Sequence, residues 1–179
     1  MYRKCVTEIS VQHQKQITES LLELMQKIPY EEITVTQLCQ AAGVSRRIFY
    51  HLFSNKTGAL HALVDHKILA IESYGREIRN EALRFLRYWK DQKVFLDVLR
   101  ENEMSGLLLE RMINSVLTED YDVLYWLKRN GWPNNSREIV TFGLSGLMGL
   151  VYSWYYSDYQ QDPEEMAALV ERILRPLLK

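Results

Sequence analysis

Apolar residues recur every three or four positions through most of the chain. Ile17, Leu21, Leu24, Met25 and Ile28 fall on one stripe, and Pro29 closes it. This spacing predicts a first helix over 11–28. The stretch "TVTQLCQAAG" predicts a short second helix. Thr34 is its N-cap and Gln37, three residues on, completes a capping box. Leu38, Ala41 and Ala42 are expected to face inward, and Gly43 to take the left-handed position that ends the helix. A third helix is expected from the N-cap Ser45 to Leu52, and a fourth is expected to open at Ser54.

The same periodicity continues. "NEALRFLRYWK" and "KVFLDVLREN" read as two short helices, and "SGLLLERMINSVLTEDYDVLYWLKRN" as a long one bending near 118–120. Asn135 and Glu138 form a second capping box opening a helix to Ser157. Asp162, Pro163 and Glu165 open a last one, with the stripe Met166, Leu169, Val170, Ile173, Leu174 and Leu177. No alternating strand pattern or Asn-Gly hairpin signal appears. The expectation is an all-α fold of about nine helices. Residues 1–55 are expected to form a three-helix helix-turn-helix unit, and residues 56–179 a larger helical bundle.

Residues 139–157, "IVTFGLSGLMGLVYSWYYS", carry no charge over nearly the length of a membrane-crossing helix. Several hydroxyl and glycine positions interrupt them, and Asp158 follows where a basic flank is usual. Burial in protein is the favoured reading, with no membrane association.

Composition is that of an ordinary globular protein: 47% hydrophobic and 25% charged residues, with net charge −1. Residues 1–60 sum to +2 and residues 61–179 to −3. So slight an asymmetry means that anion binding has to come from local placement. Two cysteines, Cys5 and Cys39, make no metal set, and they fit a reducing compartment. The start, "MYRKCVTEISVQHQ", lacks the apolar run of a secretion signal, so a cytoplasmic location is expected.

The informative stretch is "GVSRRIFYHLFSNK", residues 43–56. A helix entered through Ser45 carries Arg46 and Arg47 in its first turn. The helix dipole makes that end positive, so each cation costs about 0.3–1 kcal/mol. A polyanion reverses the balance. In a DNA-reading helix-turn-helix the second helix enters the major groove N-terminus first, and one bidentate arginine–guanine contact contributes about 1–3 kcal/mol of discrimination. Arg46, Arg47, Tyr50 and His51 are expected to face outward with Ile48 beside them, and Val35, Leu38, Val44, Phe49 and Phe53 inward. Tyr50, Lys56, Thr34 and Thr36 are candidates for the phosphate backbone. The competing reading is a plain three-helix unit with two solvated arginines.

These residues carry a resemblance. "ITVTQLCQAAGVSRRIFYHLFSNKTGALHAL" resembles the DNA-binding domain of TetR/AcrR-type transcriptional regulators over about residues 11–63, and "FGLSGLMGLVYSWYYSDYQQDPEEMAALVERIL" is more loosely similar to their last two helices. The resemblance implies an all-α homodimer paired through those two helices, with a variable middle region that takes a small molecule. It places base contacts on Arg46, Arg47 and Ile48, and phosphate contacts on Thr36, Tyr50 and Lys56. An isoleucine at 48 departs from the small or hydroxylated residue common there. It can touch a thymine methyl or join the core.

The remaining features are weaker. His13, His51, His61 and His66 have no metal-ligand spacing, so no metal is expected; His13 is placed near the DNA backbone. The run Arg76, Arg79, Arg84, Arg87, Lys90 and Lys93 reads as a solvated face. Phe85, Trp89, Phe95, Met112, Tyr121, Trp126 and Phe142 are candidates to line a site for a small apolar or aromatic effector. They read equally well as plain core. Gly143, Gly146, Leu147, Leu150, Trp154, Met166, Leu169, Val170 and Ile173 are the candidate dimer seam. There is no nucleophile–base set, phosphate loop or cofactor motif, so neither a cofactor nor enzymatic activity is expected. The reading is a regulator that binds double-stranded DNA as a homodimer, most simply a ligand-responsive repressor. A helix-turn-helix protein acting through a protein partner is the alternative.

Overall fold

The computed structural model describes residue 2, residues 7–118 and residues 137–174. The predicted bend near 118–120, Asn135 and Leu177 lie in whole or part outside the described residues, as do Tyr121 and Trp126. Among the described residues there are nine α-helices, one 3-10 turn and no strand, only an isolated bridge between Tyr2 and Phe53. The all-α expectation holds. The chain divides into two compact units: Met1–Lys67 with Phe95–Ser105, and Ile68–Val94 with Gly106–Lys179.

The first unit begins with α1 (Glu8–Met25). It starts three residues before the apolar stripe suggested, because Thr7 caps it: its hydroxyl accepts from the Ser10 amide at 3.3 Å. No Glu or Gln follows at the capping-box position, so the sequence signal was faint. The helix stops at Met25, short of Pro29, and the residue before a proline is pushed out of the helical region. A 3-10 turn (Tyr30–Glu32) follows, then α2 (Val35–Ala41), α3 (Arg46–Leu52) and α4 (Lys56–Ser73). The α4 cap is Asn55 rather than Ser54; its side chain accepts from the Gly58 amide at 2.9 Å. Ile17, Leu21, Leu38 and Phe49 are fully buried between α1, α2 and α3. Cys39 joins them, while Ala41, expected inward, is exposed.

Two polar arrangements tie this unit together. The Tyr2 hydroxyl donates to buried Asp65 at 2.5 Å. The His66 ring bonds Gln14 at 3.2 Å and Thr18 at 3.4 Å, and burial lowers its pKa against the pull of Asp65 and Glu19. His66 is thus a packing residue.

The 3-10 turn is held from both sides. The Tyr30 amide donates to the Asn102 side chain at 2.6 Å, and Asn102 in turn donates to the Val98 carbonyl at 2.8 Å. Asn102 stands just past α6 (Lys93–Glu101), whose residues from Phe95 belong to this unit. From the other side Lys56 Nζ donates to the carbonyls of Tyr30 (2.6 Å) and Glu31 (3.2 Å). It also stands 4.1 Å from the Tyr30 ring centroid.

The second unit contains α5 (Glu81–Asp91), α7 (Ser105–Leu117), α8 (Arg137–Tyr156) and α9 (Pro163–Leu174). Asn80 caps α5, accepting from the Leu83 amide at 2.9 Å. It also reaches Glu171 on α9 at 2.7 Å, and Arg87 pairs with Glu164. These bonds dock α5 on α9, and α5 also packs on α8. A backbone hydrogen bond at the start of α9, with the Arg87 pairing second, lowers the Glu164 pKa. Tyr74 donates to Asp91, and the bond pushes the phenol up to about 12. Burial alone raises Tyr88. The uncharged segment 139–157 forms most of α8. Its Val140, Leu144, Leu147, Met148, Val151 and Trp154 are buried in protein. No helix among the described residues is long and apolar enough to cross a membrane.

Asn102→Ala leaves the part-buried Tyr30 amide without an acceptor. We expect a loss of about 1–3 kcal/mol of stability, read as a lower urea midpoint at an unchanged slope.

Candidate nucleic-acid interface

Three local devices set the position of α3. At the start of α2 the capping box is complete. The Gln37 amide donates to Thr34 Oγ1 at 3.2 Å, and the Thr34 amide donates to Gln37 Oε1 at 2.8 Å. At its end Gly43 has φ +65°. The Gly43 amide reaches the Gln40 carbonyl (3.3 Å) and the Val44 amide reaches the Cys39 carbonyl (3.0 Å). This is the paired bonding of a Schellman stop. A Cβ at position 43 would meet nothing within 4 Å, so the requirement for glycine is conformational, not steric. Ser45 then caps α3 by accepting from the Ile48 amide at 3.2 Å.

The face of α3 follows from its anchors. Phe49 and Leu52 are buried, and Phe53 just beyond them is 1% exposed. Three residues held inward fix the rotation of a seven-residue helix. Arg46, Arg47, Tyr50 and His51 are consequently exposed together. The Arg46 guanidinium lies 5.9 Å from the Tyr50 ring centroid, a cation–π distance that keeps both side chains on the same outer face. Ile48 is half-buried, so its apolar edge is presented without being core.

The remaining candidates are more committed. The Thr34 hydroxyl donates to Gln37 Oε1 at 2.8 Å, so its proton is already used within the cap. Thr36 is exposed. Lys56 spends two donors on Tyr30 and Glu31, which leaves one of an ammonium's three for a phosphate. Sequence reasoning missed this anchor and the Asn102 bond opposite it. A partner 72 residues away along the chain leaves no local signal.

The described candidates for effector binding fall in both units. Phe95 belongs to the first unit, whereas Phe85, Trp89 and Met112 are buried in the second. Phe142 is 67% exposed. The candidate seam also separates. Gly143, Leu147, Trp154, Met166 and Val170 are buried in their own unit, while Leu150 and Leu169 are half-buried, and Gly146 and Ile173 are exposed. Of the three glycines of α8, Gly143 is buried while Gly146 and Gly149 are exposed. The outward side lies one residue round, at Phe142, Gly146, Gly149, Ser153 and Tyr156.

Residues 17–63, which run from α1 through α2 and α3 into α4, match the family described as bacterial regulatory proteins, tetR family. The match covers that segment, about a quarter of the chain. A 91-residue stretch is 30% identical to the HTH-type dhaKLM operon transcriptional activator DhaS of Lactococcus lactis subsp. lactis (strain IL1403). It spans 48% of this chain and 48% of the relative, about half of each. A structure of the dihydroxyacetone kinase operon activator DhaS aligns with TM-score 0.59 at 16% identity, covering 93% of this chain and 96% of its own. A tetR-family transcriptional regulator from Streptomyces coelicolor aligns with TM-score 0.52 at 18% identity, over 94% and 80% of the two chains. The fatty acid degradation regulator FadR from Bacillus halodurans aligns with TM-score 0.51 at 18% identity, over 98% and 97%. At these identities the structural likeness is one of fold. The family and these relatives are transcriptional regulators and not enzymes.

Ser45→Ala removes the cap from a helix of seven residues. The expected loss is about 1 kcal/mol of stability, measured by chemical unfolding.

Proposed function

We propose that the protein binds a near-palindromic operator as a homodimer and acts as a ligand-responsive repressor. The observation that carries the DNA reading is the outward group Arg46, Arg47, Tyr50 and His51 on a helix whose other side is fixed by Phe49, Leu52 and Phe53. Arg46, Arg47 and Ile48 meet base edges; Tyr50, Thr36 and the remaining donor of Lys56 meet phosphates. Two copies would present their third helices about 34–36 Å apart, or a multiple of that.

The dimer reading is supported by the outer side of α8. Phe142 (67% exposed) and Tyr156 (63%) flank Gly146, Gly149 and Ser153. The steps of four, three, four and three residues make a straight seam for a second helix. Nothing lies within 4 Å of a Cβ built at Gly146 or Gly149, so the space beside them is open. Ile173 on α9 is exposed as well. For the effector, the supporting feature is Trp89, which is 0% exposed. Its indole N–H has no acceptor among the described residues. A small aromatic or apolar molecule carrying one hydrogen-bond acceptor fits that need. The dimer is further proposed to work in the cytoplasm.

A second reading, activation through a protein partner, is favoured by the printed role of the DhaS relative as an activator. A promoter carrying the operator separates the two: transcription falls on adding protein for a repressor and rises for an activator.

Selection from random duplexes is expected to return an inverted repeat, and an unstructured set of winners would refute the operator reading. Replacing Arg46 or Arg47 by alanine is expected to weaken operator binding by about 1–3 kcal/mol where the contact is to a base. Where it is to phosphate, the salt dependence falls by about one unit of slope. Gly146→Trp fills the open side of α8 and is expected to convert the dimer to monomer in analytical ultracentrifugation.

A further inference from the structure

Beside α3 lies a groove of about 450 Å³ lined by Ser10, His13, Arg47, Ile48, Tyr50, His51 and Leu52. Only α1 and α3 line it. α2 packs on both helices but contributes no lining residue. Its floor is apolar, from buried Leu52 and half-buried Ile48. Its polar groups come from opposite walls: Ser10 and His13 from α1, Arg47, Tyr50 and His51 from α3. The titratable or charged lining groups are His13, Arg47, Tyr50 and His51, and no carboxylate is among them. The α1 side is already ordered, because Ser10 Oγ bonds Thr7 Oγ1 at 2.7 Å. If Thr7 donates in that bond, the Ser10 proton is free to point into the groove.

A permanent cation, two imidazoles and two hydroxyls with no acid among them make a receptor for a singly or doubly charged oxyanion. On a face that already carries Arg46 and Arg47, that anion is a phosphodiester of the bound duplex. We propose that this groove seats one DNA backbone phosphate, gripped from α3 by His51 and by one edge of the Arg47 guanidinium, whose other donors face a base edge, and from α1 by Ser10 and His13, with His13 taking up a proton as the phosphate enters. The inference rests on the DNA-binding reading above and adds α1 to the interface. A phosphate within contact distance favours the charged form of an imidazole. Each proton taken up then tightens binding by at most about tenfold per pH unit in the range where histidine titrates. His13 acts as the proton-linked contact, and Arg47 as the pH-independent one.

The test measures affinity for the selected operator duplex at pH 6.0 and pH 8.0 and fixed ionic strength, for the unaltered protein, His13→Gln and His51→Gln. The gain in affinity on going to pH 6.0 is expected to exceed threefold in the unaltered protein, a fraction of the one-proton limit of about tenfold per pH unit. It is expected to shrink in His13→Gln. Circular dichroism reports whether that variant folds. Independently of any variant, the His13 ring resonances are followed by NMR through a pH titration. Their midpoint is expected to rise when the duplex is added and to stay put when inorganic phosphate is added at the same ionic strength. An equal pH response in His13→Gln, a His13 midpoint unmoved by duplex, or one moved as far by free phosphate overturns the proposal. Absence of duplex binding by the unaltered protein at any pH would instead overturn the DNA-binding reading itself.

Discussion

The DNA-facing unit depends on how one short turn is satisfied. The 3-10 turn at Tyr30 brings backbone polar groups next to a buried ring, and such groups are costly without partners. Tyr30 receives both from far along the chain: Asn102 takes its amide and Lys56 its carbonyl. The Lys56 ammonium also lies over the face of the ring, so its charge is balanced by two carbonyl dipoles and a π-system. This fixes the start of α4 relative to α1 and α2. α3 is the only helix between α2 and α4, so the ends of its connections are set by the same clamp.

That matters because α3 has little stability of its own. Seven residues make two turns, far below the length at which an isolated helix persists in water. Two like charges in its first turn weaken it further. What holds it is external: the Ser45 cap, the left-handed Gly43 before it and the buried Phe49, Leu52 and Phe53. The framework therefore absorbs the electrostatic cost of Arg46 and Arg47, and the exposed side is left for recognition. Arg46 recovers part of that cost over the Tyr50 ring.

The legible part of this structure is the part whose causes are local. The Thr34 box, the Gly43 stop, the Ser45 cap and the outward set on α3 each depend on residues within four or five positions, and each was expected in place. The Thr7 and Asn55 caps lie just outside what a strict capping box would reveal. Residues 139–157 show a different limit. Composition identified a buried helix, but an almost wholly apolar helix carries no contrast between sides. The glycines do not supply that contrast, because Gly143 is inward while Gly146 and Gly149 are outward. The aromatic set divides for a related reason. Phe95 reads like Phe85 and Trp89 in sequence, yet its helix begins in one unit and continues in the other.

Lys56 joins these threads. As a residue at a helix start it reads as a phosphate contact, and in the structure it is first a bracket for Tyr30. The two roles are compatible, because carbonyl oxygens occupy two of three donors and leave the charge intact. They are also coupled. A phosphate that draws Nζ outward lengthens its bonds to Tyr30 and Glu31, and the same turn is held on its other side by Asn102 at the end of α6. The cation proposed to meet the duplex is thus also the one whose placement depends on Tyr30 and, through it, on Asn102.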